Sequence, residues 1–386
     1  MIHTQDNFSY IDTNEGLQAF CERALSESVI TVDTEFIRQS TYFPKLATIQ
    51  IATPSEAAII DAIAPSLDLS LLKILFFNQD ILKVLHSGRQ DLEIFYALWQ
   101  ELPFPIADTQ VMAMVDGFGD SVGYESLVKQ LTKKNLNKSC RDSNWMRRPL
   151  SKEQLRYAAD DVIYLLEVYH KLHSKIQARL SWIKEEMAFL EDPKVYAFSP
   201  ENAWRRLKIP TPISSEFFNR IRALAAWRET EAVRLDRPRN YIIQDVNLLE
   251  IAQSKSPAIK VQNFIERYRN KKTYAESILK CIEDAKTYED FPKELHQLPP
   301  SLTANEGALL EVLKIYYKLA TSDHNVAQKL VSNSEELKEL VRTKNPSLKV
   351  LQGWRYDVFG KIALEFLEGK KILQVVNGRL ESLDTV

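Results

Sequence analysis

Three β-prone runs crowd into residues 29–61: Val29–Phe36, Leu46–Ala52 and Ala57–Asp61. An isolated strand leaves its backbone amides and carbonyls unpaired, so runs this close together demand a sheet near the start of the chain. Two of them can pair as a hairpin, which makes a mixed sheet the expectation. Around them the apolar period becomes helical. Glu15 to Leu25 places Leu17, Phe20, Cys21 and Ala24 on one face, and Leu69–Phe77 and Leu92–Leu98 repeat the pattern on either side of a short strand, Ile81–His86. The first part of the chain therefore reads as an α/β layer, with helices covering a mixed sheet.

Beyond Pro103 and Pro105 the pattern is mainly helical through to the end. Ser151-Lys152-Glu153-Gln154 has the form of a capping box, and the helix it opens runs past Tyr169. Pro193, Pro200, Pro210 and Pro212 then interrupt the chain, as do Pro292, Pro299 and Pro300 further on. These breaks divide the chain into residues 1–195, 196–290 and 291–386. The last two segments are expected to be small all-α bundles, and Trp227-Arg228-Glu229 in one and Trp354-Arg355-Tyr356 in the other hint at duplication.

A chain of 386 residues is too long for one ordinary domain, and its 45% apolar content suits folded cores rather than disorder or fibre. Lys and Arg total 50 against 52 acids, so net charge neither announces nor excludes a nucleic-acid partner. Cys21, Cys140 and Cys281 lack the spacing of a disulfide framework or a zinc site. Asp6, Asp12 and Glu15 occupy the place of a secretory signal, and no stretch is long and apolar enough to span a membrane. The expected location is the cytoplasm. The absence of long heptad runs makes a monomer with no obligate protein partner the default.

Asp33 and Glu35 lie two apart on a strand, so both carboxylates leave the same face, roughly 6 to 7 Å apart. An exposed edge strand would explain them, and so would a metal site. Asp91 follows the strand Ile81–His86 in His86-Ser87-Gly88-Arg89-Gln90-Asp91, where it can cap the next helix or join the pair. Tyr157 and Asp161, four apart in Tyr157-Ala158-Ala159-Asp160-Asp161, share a helical face, whereas Asp160 points about 100° away. Ala158 and Ala159 would let that helix lie close to the sheet. Four carboxylates on rigid elements can hold two divalent ions, Mg2+ or Mn2+, the arrangement that phosphodiester hydrolysis uses.

The segments Val32-Asp33-Thr34-Glu35-Phe36, His86 to Asp91 and Tyr157 to Val162 resemble the three exonuclease motifs of the DEDD superfamily, tyrosine subtype, and their order and spacing resemble bacterial ribonuclease D. The resemblance implies an RNase H-like fold for the first domain. It also implies metal ligation by Asp33, Glu35, Asp91 and Asp161, and catalysis assisted by Tyr157. Asp160 matches a non-ligand position. The implied activity is metal-dependent 3'-5' exoribonuclease action that releases 5'-mononucleotides, with tRNA precursors bearing single-stranded 3' ends as the usual substrates. A DNA-directed exonuclease of the same chemistry and an inactive nucleic-acid-binding homologue are the competing readings.

The stretch from Lys133 to Lys152 is basic, and Lys138, Arg141, Arg147 and Arg148 are candidate phosphate contacts. Trp145 can stack on a base or anchor its loop to the core. Phe36 can line a nucleotide pocket or pack inside. Gln50 can reach a sugar or pair within the sheet. His86 has no partner at ligand spacing and reads as structural. Further on, Ala203-Trp204-Arg205-Arg206-Leu207, Ala226-Trp227-Arg228-Glu229 and Arg237-Pro238-Arg239-Asn240-Tyr241 resemble the helicase and ribonuclease D C-terminal domain. Leu351-Gln352-Gly353-Trp354-Arg355 marks the expected second copy. Arg234, Arg237 and Arg239 are the nucleic-acid contacts expected there.

Overall fold

The structure is a computed structural model that describes residues 8–385, apart from 138, 211–212, 268 and 289–300. Pro212, Pro292, Pro299 and Pro300 lie outside the described residues, as does Lys138. The rest of the chain forms two compact units. One contains residues up to 35, 46–195 and 301–386, and the other contains 36–45 and 196–300.

In the first unit, the chain opens with β1 (Phe8–Ile11), α1 (Asn14–Ala24), β2 (Val29–Ile37), β3 (Lys45–Ala52) and β4 (Ala57–Asp61). It continues with α2 (Lys73–Phe76), β5 (Leu82–Leu85), α3 (Arg89–Trp99) and β6 (Ile106–Asp108). Thr13 starts α1 by accepting a hydrogen bond from the Gly16 amide at 3.2 Å, and Leu17, Phe20, Cys21 and Ala24 are its buried face. The six strands take the order β1-β4-β3-β2-β5-β6. β3 and β4 form the expected antiparallel hairpin, with Ile49 opposite Ile60, while β1 with β4, β2 with β5 and β5 with β6 are parallel. β2 thus lies inside the sheet with a partner on each side. The short strand β6 falls where a mainly helical pattern was expected.

Helices α4 (Thr109–Val115), α5 (Tyr124–Thr132), α6 (Lys152–Lys175) and α7 (Leu180–Glu191) follow. The capping box of α6 is complete: Gln154 N donates to Ser151 Oγ at 3.2 Å, and Ser151 N donates to Gln154 Oε1 at 3.0 Å. Ala158 and Ala159 are fully buried among Ala47, Ala52 and Ile59 of the sheet, so a long helix sits against β3 and β4 on residues without bulk. The Thr31 hydroxyl donates to the Val162 carbonyl at 2.8 Å and ties β2 to the same helix.

The second unit contains α8 (Ser215–Arg234), α9 (Arg239–Ile242), α10 (Asp245–Gln253), α11 (Pro257–Arg267) and α12 (Ala275–Asp284). Its own core includes Ile221, Leu224, Trp227, Leu248 and Ile251. A strap, residues 36–45, belongs to this unit although it is drawn from between β2 and β3.

The chain then returns to the first unit as α13 (Ala304–Asp323), α14 (Gln328–Val331), α15 (Ser334–Thr343), the short α16 (Gly353–Arg355) and α17 (Lys361–Leu367). Leu313, Tyr316, Leu340 and Phe359 share one core with Val84, Met112 and Val168. The reading of helix to the end is corrected here, because a hairpin of β7 (Lys371–Val376) and β8 (Arg379–Asp384) closes the chain. Its turn, Asn377-Gly378, has both φ angles positive, at 50° and 76°. That conformation is the one an Asn-Gly pair accepts most readily in a two-residue hairpin. Among the described residues, no helix is long and apolar enough to cross a membrane.

The two helical stretches repeat in backbone register. α8 and α13 are both 20 residues long and begin 89 residues apart, at 215 and 304, behind the caps Ser214 and Thr303. Each helix ends in the same way, with Asp236 and Asn325 both at φ 46°. Arg237 N donates to Ala232 O at 2.9 Å, and Val326 N donates to Thr321 O at 3.0 Å. A four-residue helix follows in both, α9 or α14, and then α10 or α15. This register pairs Trp227 with Tyr316 and not with Trp354, so the tryptophan match is not the equivalence that the backbone makes.

Candidate active site

Asp33 and Glu35 emerge from β2 and Asp161 from the third turn of α6, and one oxygen from each lies within 4.8 Å of the others. Because β2 is internal, an exposed edge strand no longer explains the pair. Among the described residues, no Lys or Arg forms an ion pair with these three acids. Burial and mutual repulsion therefore act with no positive charge against them, countered only in part by hydrogen bonds from the Thr34 backbone to Asp33 and from Tyr157 to Asp161. Burial, then the charge of Asp161, lifts Asp33 well above the carboxylate range. Burial, then Asp33, lifts Glu35 to about 10, and burial foremost lifts Asp161 to about 8.

Asp91, buried in the first turn of α3, is also raised, first by burial and then by the charge of Asp33. Its oxygens lie outside the close group of three, because one accepts a hydrogen bond from the Thr34 hydroxyl. Thr34 alternates with the two acids, so its strand position alone gave no reason to single it out. Helix α3 brings its partner to it.

Tyr157 lies one turn before Asp161 and donates its hydroxyl toward that carboxylate. Burial, then Asp161, raises the phenol above its ordinary value, so it stays protonated at neutral pH. Asp160 faces elsewhere: it pairs with Arg156 at 3.0 Å, and its carbonyl accepts from the buried Tyr124 hydroxyl at 3.0 Å. Tyr124, unnoticed in the sequence, stands beside Asp161 and Asp33, and burial and their charges raise its pKa. His86 is shielded, with Nδ1 2.9 Å from the Thr109 hydroxyl and its ring against Tyr124; burial lowers its pKa and keeps it neutral.

The substrate candidates separate sharply. Arg147 and Arg141 are exposed, and Phe36 is half-buried. Arg148 is committed to structure, because Nε and Nη2 grip Asp61 at 2.6 and 2.5 Å and Nη2 also reaches the Ala47 carbonyl at 3.0 Å. Trp145 is only 2% exposed and packs on Tyr157 with ring centroids 6.0 Å apart, so it anchors its loop and presents no face to a base. Gln50 is fully buried on β3, where Nε2 donates to the Thr48 hydroxyl at 2.6 Å, which places it within the sheet. A cleft of about 250 Å3 beside Tyr157 is lined by Lys152, the end of the basic stretch, and by Arg156, a cation one helical turn further on that the sequence reading did not consider.

All the donors offered by the acidic group are carboxylate oxygens, the hard set that suits a divalent cation such as Mg2+ or Mn2+ and poorly suits zinc. Four clustered acids, Asp91 buried and the other three half-buried, without a counter-cation fit such an ion better than they fit a purely structural role.

Comparison with known proteins agrees with this geometry. Residues 8–177 match the 3'-5' exonuclease family, and residues 217–263 match the HRDC domain. Ribonuclease D of Acidiphilium cryptum is 39% identical over 97% of this chain and 96% of its own length. Ribonuclease D of Granulibacter bethesdensis is 39% identical with the same coverage. The crystal structure of Escherichia coli RNase D, described as an exoribonuclease involved in structured RNA processing, superposes with a TM-score of 0.73. It is 26% identical, over 94% of this chain and 99% of that one. With an uncompensated acidic cluster inside a matching exonuclease fold, and relatives of the same length along its whole course, the chain belongs to the ribonuclease D family of metal-dependent 3'-5' exoribonucleases.

Proposed function

We propose that Asp33, Glu35, Asp91 and Asp161 hold two divalent ions, Mg2+ or Mn2+, and that the protein trims single-stranded 3' ends of structured RNA, tRNA precursors among them. The convergence of β2 and α6 acids without a counter-cation carries this reading. When bound, the ions supply a water of lowered pKa and stabilise charge on the departing 3'-oxygen. Protons held by Glu35 and Asp161 must leave as the site is loaded. Thr34 keeps Asp91 turned toward the sheet, and Tyr157, protonated and braced by Trp145, is suited to orient a water by hydrogen bonding rather than to remove its proton. These roles assign the enzyme to the tyrosine subtype. Arg147 and Arg141 are exposed members of the basic stretch suited to meet phosphates, beside the exposed Lys133, Lys134 and Lys152.

The processing of structured RNA by the Escherichia coli relative supports the choice of substrate. The 89-residue register supports reading residues 291–386 as a divergent second copy of the module in 196–290, behind a nuclease domain of 1–195. A cytoplasmic monomer is the working form proposed. The test is a Mg2+-dependent assay on a structured RNA with a single-stranded 3' tail, beside a matched DNA. Asp33→Asn should lower turnover by about a thousandfold or more, because the lost carboxylate acts mainly in the transition state. Near-normal turnover would refute the assigned cage, and equal cleavage of DNA would refute the RNA assignment.

A further inference from the structure

Asp161 and Asp91 reach the acidic cluster from different helices, α6 and α3, and one side chain touches the backbone that leads to both. Tyr124 opens α5. Its hydroxyl, inside the protein, donates to the Asp160 carbonyl at 3.0 Å, and its ring lies against His86 with centroids 5.5 Å apart. The Asp160 carbonyl belongs to the peptide unit whose nitrogen is that of Asp161. His86 begins the turn His86-Ser87-Gly88 that starts α3 and leads to Asp91. We infer that Tyr124 is a positioning residue of the metal site, which fixes the peptide unit beside Asp161 and braces the turn before Asp91. The inference rests on the four-acid reading above and adds a residue to it.

The hydroxyl is not needed to complete α6. Inside a helix the Asp160 carbonyl accepts from the amide four residues on, and a carbonyl oxygen has a second lone pair to offer. A phenylalanine at position 124 would leave that helical bond in place and would bury no idle phenol. What the hydroxyl adds is a fixed point one peptide from a ligand, in a cluster whose acids repel one another. Outer contacts of this kind set the aim of metal ligands.

Both ends of the brace are themselves held. Leu127 and Val128, on the next turn of α5, are fully buried in one core with Leu165 and Val168 of α6. On the other side, His86 Nδ1 lies 2.9 Å from the Thr109 hydroxyl, which donates to the Leu85 carbonyl at 3.1 Å. Asp108, 3% exposed at the end of β6, accepts the amides of Ser87 and Gly88, each at 2.9 Å. Ser87 has a φ of 58°, a left-handed conformation that a serine adopts at a cost, and Asp108 holds it there. The Tyr124 ring therefore rests on a turn of fixed shape.

The test reads metal binding without RNA, by calorimetric titration of the full-length protein with Mg2+ and with Mn2+ at a temperature below the melting transition of every variant. Tyr124→Phe should weaken binding by about tenfold, the low end for an outer contact because the bond is made to a peptide and not to a carboxylate. With RNA added, turnover at low Mg2+ should fall while the KM for RNA stays, and excess Mg2+ should restore it. Tyr124→Leu, which also takes the ring from His86, should weaken metal binding further; a loss no greater than that of Tyr124→Phe overturns the brace on the turn. Tyr169→Phe, a hydroxyl lost from α6 about two turns beyond Asp161, should bind metal as the wild type does. Wild-type affinity in Tyr124→Phe overturns the inference and leaves the hydroxyl a satisfied buried phenol. Equal loss in Tyr169→Phe also overturns it, because the effect is then that of any hydroxyl removed from this core. A wild type that binds neither ion fails the four-acid reading instead.

Discussion

The helical modules beginning at α8 and α13 share caps, helix lengths and a left-handed turn, yet they close their cores differently. The first packs upon itself and upon the strap: Asp236 Oδ1 accepts the amides of Tyr42 and Phe43 at 3.0 and 3.1 Å. The second shares its core with the nuclease. At the equivalent position, Asn325 Nδ2 donates to the Asp116 carbonyl at 2.7 Å, while Arg179 donates to the carbonyls of His324 and Asn325 at 2.6 and 3.0 Å. One backbone plan thus serves two ends, and the polarity of a single turn residue follows what it grips. In the 89-residue register Arg228 of the first module, whose Nη1 donates to the Ile243 carbonyl at 3.1 Å, stands where the second has Tyr317, whose hydroxyl donates to the Ser332 carbonyl at 2.8 Å, and the second module is part of the catalytic unit's core.

The largest effect that would sharpen this contrast is expected at Arg355, which is fully buried against Glu185 and Glu186 and donates to the Leu330 carbonyl at 2.8 Å. Arg355→Met should destabilise the first unit by about 3 kcal/mol, toward the low end for a broken buried pair because Glu185 stays half in water. Chemical denaturation checks this, and exchange protection should fall across α13–α15 and β5 together. Loss confined to α13–α15 would break the claim of a shared core.

Tyr317→Phe should cost about 1–3 kcal/mol, since the Gln328 and Ser332 carbonyls both lose their hydroxyl donor. An unchanged midpoint would show that the tyrosine does not replace the structural part of Arg228.

Metal should distinguish the modules next. Glu35 and Asp161 have raised values, about 10 and about 8, so the stability they lend the metal-free protein is complete below the ordinary carboxylate range and is lost as pH rises through those values. A cation binds the ionised forms. The gain in melting temperature on adding Mg2+ should therefore grow between roughly pH 6 and 9, with exchange slowed in α13–α15 but not in α8–α12. A gain that shrinks with pH would contradict the burial of these acids. The smallest effect expected is that of Asp236→Ala, about 1 kcal/mol and confined to the second unit. Hydrogen exchange at Tyr42 and Phe43 reads it directly.

Much of this was legible because it is local. Alternation put Asp33 and Glu35 on one face, helical spacing joined Tyr157 to Asp161 and set Asp160 aside, and Ser151 with Gln154 announced α6. What failed depended on distant partners. Nothing near Arg148 reveals Asp61, 87 residues earlier, and nothing near Thr34 reveals Asp91. The duplication was sought in tryptophans, whereas the backbone keeps it in caps and turns, where Ser and Thr or Asp and Asn exchange freely. The terminal hairpin was signalled locally by Asn377-Gly378 and was passed over because the surrounding residues had been read as helix.

The interleaving of the two units, with the strap leaving at 36 and returning at 45, has a consequence for synthesis. The acids of β2 and α6 are made early, but Tyr316 and Phe359, which complete the core shared with Val84 and Val168, leave the ribosome only after α8–α12 have been made. Most of the nascent chain thus carries its catalytic groups on an unfinished scaffold. A nuclease built in this order gains its full core only after the whole second unit has been made, and a chain cut short within residues 196–300 would lack the helices that complete it.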